Sequence, residues 1–105
     1  MRCNSGVKLF GLRPEIVAIL PMVESVYQDI VGQGVTIFSA CDKTHRSIVH
    51  SIGCAIDIRT RYDDKSEQWG ATIKQRLVLM LKDALTTEFD VVLEKDHIHI
   101  ELDRR

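Results

Sequence analysis

The stretch Phe89-Asp-Val-Val-Leu93-Glu-Lys-Asp96-His97-Ile-His99-Ile-Glu101-Leu102 sets the architecture of this chain. Its outer parts, Phe89 to Leu93 and His97 to Leu102, are β-type runs rich in Val, Ile and Phe. The residues between them, Glu94-Lys95-Asp96, are enough for a hairpin turn, so the two runs are expected to pair antiparallel. His97 and His99 are two apart and therefore point to the same face of their strand, and Glu101 joins them.

Before this hairpin, helical spacing of Ile73, Leu77, Met80, Leu81 and Ala84 predicts an amphipathic helix over about Ser66 to Leu85. Ile52 to Ile58 reads as a strand, followed by the polar loop RTRYDDKSEQWG. Further back, Val35-Thr36-Ile37-Phe38 reads as another strand, bounded by the polar stretch Ser39 to Ser47. Ile16, Ile19, Leu20, Val23, Val26, Tyr27 and Ile30 recur at helical spacing from Pro14, which suits a first helical position, and Gly32 and Gly34 end the run. Pro21 falls inside this pattern, which predicts a kink or two short helices. The order helix, strand, strand, helix, strand, strand predicts an α+β fold: a small antiparallel sheet with helices packed on one face.

At 105 residues the chain is expected to form one domain over 1–105, long enough for a proper core. Apolar residues make up 45% and charged residues 28%, a globular balance, and the formal net charge of -1 disfavours a nucleic-acid partner that needs many phosphate contacts. Cys3, Cys41 and Cys54 are odd in number and lack CxxC spacing, which argues against a disulfide framework or a cysteine-rich zinc site. Cys54 is read as a small buried hydrophobe. No signal-peptide pattern or membrane-spanning run occurs, so synthesis in the cytoplasm and no membrane insertion are expected, with no obligate protein partner evident.

The histidines fall, with a set of acids, in two segments, 45–57 and 94–101. A sheet that brings Asp57 beside His97 and His99 offers imidazole and carboxylate groups to one point, the chemistry of a catalytic zinc set with a position left for water. An isolated His-x-His is common by chance. Asp57 adds weight, because an acid between Ile56 and Ile58 is costly to bury unless a cation relieves it.

His50-Ser-Ile-Gly53-Cys-Ala55-Ile-Asp57 resembles the first zinc motif, H-x-x-G-x-A-x-D, of the M15 metallopeptidases. These include D-Ala-D-Ala carboxypeptidases and phage L-alanyl-D-glutamate endolysins. Glu94-Lys-Asp96-His97-Ile-His99-Ile-Glu101 resembles the second motif of the same superfamily, which murein endopeptidases and the hedgehog signalling domain share. The likeness spans roughly Ser39 to Asp103. It implies a hedgehog/DD-peptidase-like fold and one Zn2+ per chain, with His50, Asp57 and His99 as its ligands. It also implies His97 as an oxyanion-stabilising or proton-transferring group, Glu94 as the favoured general base and Asp96 as its competitor. His45, Arg46 and Ser39 are the implied substrate-binding residues.

Two departures concern substrate recognition. Ile48 stands where many members have Ser, and neither Lys43 nor Arg46 aligns with the family's substrate-gripping Arg. The activity implied is hydrolysis of peptide bonds of bacterial peptidoglycan by metal-activated water, with a phage protein, carried on a virion or released at lysis, as the setting. The alternative is a zinc-stabilised binding module of the hedgehog type that has lost catalysis. Of the remaining residues, Trp69 is expected in core packing or as a helix-start anchor rather than stacked on substrate. Asp63-Asp64 is read as a solvated turn and Asp103-Arg104-Arg105 as a charged end.

Overall fold

The computed structural model describes residues 1–3, 12–39, 55–63 and 65–102. Among them are five strands and two helices: β1 (Arg2–Cys3), α1 (Pro14–Val31), β2 (Thr36–Ser39), β3 (Ala55–Arg59), α2 (Ala71–Ala84), β4 (Phe89–Leu93) and β5 (His97–Leu102). The strands form one sheet in the order β1-β2-β3-β5-β4. The α+β class, with both helices against one face of the sheet, is as expected. The sheet is mixed rather than purely antiparallel. Arg2 and Cys3 add a short strand parallel to β2, tied by Arg2 N–H to the Val35 carbonyl at 2.8 Å. Two residues without apolar alternation give no strand pattern, so this pairing is set by tertiary contact.

Alternation divides each central strand. Ile56 and Ile58 of β3, Ile98 and Ile100 of β5, and Val91 of β4 are buried on one face against Ile16, Leu20, Val23 and Tyr27 of α1 and Leu77 and Leu81 of α2. Each fully buried aliphatic side chain contributes roughly 1.5–3 kcal/mol, so this face supplies most of the driving force for folding. Asp57, His97, His99 and Glu101 occupy the alternate positions and take the opposite face.

Helix α1 continues as one helix through Pro21, so the alternative of two short helices does not form. Pro21 lies on the exposed side, so water can satisfy the carbonyl that loses its helical partner, and the buried stripe holds both halves together. Pro14 is in the first turn, as expected. The helix ends at Gly32, whose φ of 75° is left-handed and whose N–H returns to the Gln28 carbonyl at 2.9 Å.

Helix α2 starts at Ala71, five residues later than Ser66. Ser66 is taken by a turn in which Asp63 Oδ1 accepts from Lys65 N–H at 2.8 Å and from the Ser66 hydroxyl at 3.0 Å. Met80, placed on the core face by spacing, is 45% exposed, whereas Leu77 and Leu81 are buried. No described helix is long and apolar enough to cross a membrane.

Two clamps fix β3 to the rest. The Tyr27 hydroxyl donates to the Arg59 carbonyl at 2.8 Å, and Trp69 N–H donates to the Thr60 carbonyl at 3.0 Å. The Trp69 ring is 6% exposed and packs against Tyr27 and Tyr62, with ring centres 5.5 and 5.2 Å away, in agreement with a core role. One turn before Tyr27 on α1, the Glu24 carboxylate accepts from Val35 N–H, Gln28 and the terminal ammonium. Burial alone would raise the pKa of Glu24; these bonds outweigh it and hold the carboxyl below its ordinary value. A Cβ on Gly34 would lie 2.7 Å from Glu24 Oε1, so glycine keeps this contact open.

Candidate metal and catalytic site

Register carries the site. In the β3–β5 ladder Asp57 pairs with His99, Arg59 with His97 and Ala55 with Glu101, all on the face away from the helices. Residues 42 positions apart thereby come into contact: His99 Nδ1 lies 2.7 Å from Asp57 Oδ1. The other ring nitrogen, Nε2, lies 2.7 Å from Glu101 Oε1. His97 Nε2 is 3.5 Å from the same Asp57 oxygen, and its Nδ1 is 2.7 Å from Asp96 Oδ1. Carboxylates and imidazoles alternate in one chain, Asp96–His97–Asp57–His99–Glu101.

Asp57 is 2% exposed. A carboxylate at that depth requires a charge partner, because desolvation without one costs several kcal/mol. His99 provides it. Hydrogen bonding to Asp57 raises the His99 pKa most strongly; burial opposes, and Glu101 adds to the rise, bringing it to about 9. At neutral pH the ring is an imidazolium that donates from Nδ1 to Asp57 and from Nε2 to Glu101.

Asp57 and His99 supply one carboxylate oxygen and one imidazole nitrogen, two donor types that zinc takes. A metal-binding histidine commonly gives its second ring N–H to a carboxylate that fixes its orientation. Glu101 holds Nε2 in that manner and leaves Nδ1 facing Asp57. A proton on Nδ1 and a divalent cation are thus alternative ways to neutralise Asp57, both oxygen and imidazole nitrogen being ordinary zinc donors. Among the described residues no group of three or more His, Cys, Asp and Glu is disposed to hold a metal ion.

Of the expected ligands, Asp57 and His99 come together, and His50 lies outside the described residues, as do His45, Arg46, Lys43, Ile48, Gly53 and Cys54. The Ser39 backbone stands opposite Asp57, because a register irregularity between Ile37 and Ser39 shifts the β2–β3 pairing by one residue. Glu94, Lys95 and Asp96 join β4 to β5, as expected, and Glu94 N–H bonds to the His97 carbonyl at 2.9 Å. Asp96, on that turn, is the acid in contact with His97.

Glu101, which the spacing puts on the face of His97 and His99, contacts the His99 ring. Arg59 was missed. Its position beside His97 follows from the same two-residue alternation that picks out Ala55 and Asp57, extended by one step. Comparison of the chain with protein-family models, curated proteins and solved structures finds no match.

Proposed function

We propose that the chain is a zinc-dependent peptidase acting on peptide bonds of bacterial peptidoglycan, with His50, Asp57 and His99 as the metal ligands. The observation that carries this reading is the 2.7 Å contact between Asp57 and His99, which joins the two motif segments at a buried carboxylate. Zinc, when held there, supplies Lewis acidity towards the scissile carbonyl and towards water. Asp57 and His99 present the oxygen and nitrogen donors, and Glu101 keeps the His99 ring oriented through Nε2.

His97 turns Nε2 towards Asp57 while Asp96 engages its Nδ1, so this imidazole is held over the site and suits oxyanion stabilisation, worth roughly 3–4 kcal/mol for a well-placed donor. Asp96 is occupied by His97. Glu94, across the hairpin from His97, is therefore the favoured base that takes a proton from water and passes it to the leaving amine. His45, Arg46 and Ser39 are the proposed substrate contacts, and a phage protein acting at the cell wall is the proposed setting.

The test is metal content of the purified protein by elemental analysis, paired with mass spectrometry of peptidoglycan digests before and after chelation. About one zinc per chain and chelator-sensitive peptide release are expected. The bond released (D-Ala-D-Ala, L-Ala-D-Glu or a cross-link) identifies the specificity. Zinc without release moves the reading to the binding module, and a protein without zinc ends it. Glu94→Ala should retain zinc and lose turnover; a fully active Glu94→Ala beside a dead Asp96→Ala would reassign the base.

A further inference from the structure

Strand β4 forms an edge of the described sheet, and along it runs a groove bounded by the outer wall of α2. Two adjoining depressions of about 520 and 410 Å3 meet at Lys82, Val91 and Val92. Val78, Leu79 and Leu93 continue the apolar lining of the first. Leu79 is 66% exposed and Leu93, on the helix side of β4, is 37% exposed, whereas the Val92 side chain takes the opposite face with His99. Among the described residues β4 has no ladder partner on its outer side, and an edge strand beside an apolar wall is the surface that strand addition uses.

A second copy of this strand is a poor occupant. In a symmetric antiparallel pair, residues opposite one another share a face, so each allowed register pairs positions with an even sum. Centring on Asp90 places Asp90 opposite itself; centring on Val91 places Glu88 opposite Glu94. Centring on Val92 places Asp90 opposite Glu94, and centring on Leu93 places Asp90 opposite Asp96. Like charges directly opposite destabilise a ladder.

We infer that the β4 edge and the Leu79 groove receive an extended segment of a partner protein in which apolar residues alternate with lysine or arginine. Its apolar residues enter the groove beside Val91 and Leu93, and its basic residues face Asp90 and Glu94 on the other side of the sheet. The acids that repel a second copy attract this segment, so one set of charges provides both selectivity and affinity. The inference does not require the peptidase reading: the groove opens on the helix side of β4, and of the two acids on the histidine face only Glu94 has a part in that reading.

The probes are short capped peptides of alternating Lys and Val, with alternating Glu and Val as the control, followed by amide hydrogen exchange over Phe89 to Leu93 and by fluorescence anisotropy. The Lys-Val peptide should bind and slow exchange of the β4 amides that point away from β5. Asp90→Lys should weaken that binding by about tenfold and admit the Glu-Val peptide. Leu79→Gln, on an exposed helical position that leaves the fold intact, should weaken both. Equal binding of the two peptides to the unaltered protein, or no change at β4 with either, overturns the inference. So does sedimentation that shows a dimer lost on Leu79→Gln, which would make a second copy the occupant.

Discussion

Strands β3 and β5 present two chemistries on one backbone. On the helix side, Ile56, Ile58, Ile98 and Ile100 are removed from water completely. On the other side, one residue out of step, Asp57 is buried almost as deeply but is held by His97 and His99 at 3.5 and 2.7 Å. The first face is stable because its groups need no partner inside the protein. The second is stable only while its carboxylate has one, and whatever supplies that partner, proton or cation, controls the face. A slip of one residue would exchange the two faces, so the aliphatic pattern that holds the core also fixes where the site forms.

The sharpest way to separate the faces is to alter one residue on each. Asp57→Asn should take metal content from about one per chain to none and abolish hydrolysis, while the fold persists in circular dichroism. Ile100→Ala should do the reverse: stability falls by roughly 2–5 kcal/mol in chemical denaturation, and the folded fraction still takes up metal. An Ile100→Ala protein of undiminished stability that no longer binds metal would show that the faces are not separable.

The next effect is one of pH. The folded-state pKa of His99 is raised from about 6.5 to about 9, so the imidazolium's stabilisation is fully present below pH 6.5. It is lost as pH rises through 9. Chelator-treated protein should lose on the order of 1–3 kcal/mol across that interval, and His99→Gln should flatten the profile. A profile unchanged by His99→Gln would place the titrating group elsewhere. Smaller again is Tyr27→Phe, which removes the hydroxyl bond to the Arg59 carbonyl and should cost about 1 kcal/mol in a denaturant titration. The smallest is Met80→Gln, expected within about 0.5 kcal/mol of the parent because Met80 is half exposed.

The parts of the fold legible in the sequence are those with a strong period. Ile56/Ile58 and Ile98/Ile100 alternate, α1 has a repeating stripe from Ile16 to Tyr27, and Pro14 and Gly32 mark its ends. Helix α2 was placed too early because Ser66 to Gly70 have no opposing signal; the Asp63 turn that claims Ser66 is a side-chain preference, invisible to periodicity. The pairing of Arg2 and Cys3 with β2 was equally hidden, since so short a strand has no pattern of its own. For the site, spacing alone placed His97, His99 and Glu101 on one face. That Asp57 lies opposite His99 rather than His97 is a matter of register between strands far apart in the chain, which no local pattern encodes.

Strand β5 follows every other described element in the chain, yet it lies inside the sheet, between β3 and β4. During synthesis β3 must therefore wait, with one edge open, until residues 97–102 have left the ribosome. The hairpin partner β4 precedes them by only a short turn, so the closing unit arrives almost at once. Until then Asp57 lacks both histidines, and Ile56 and Ile58 lack Ile98 and Ile100 beside them. The sheet and the site therefore close together, when β5 inserts between β3 and β4.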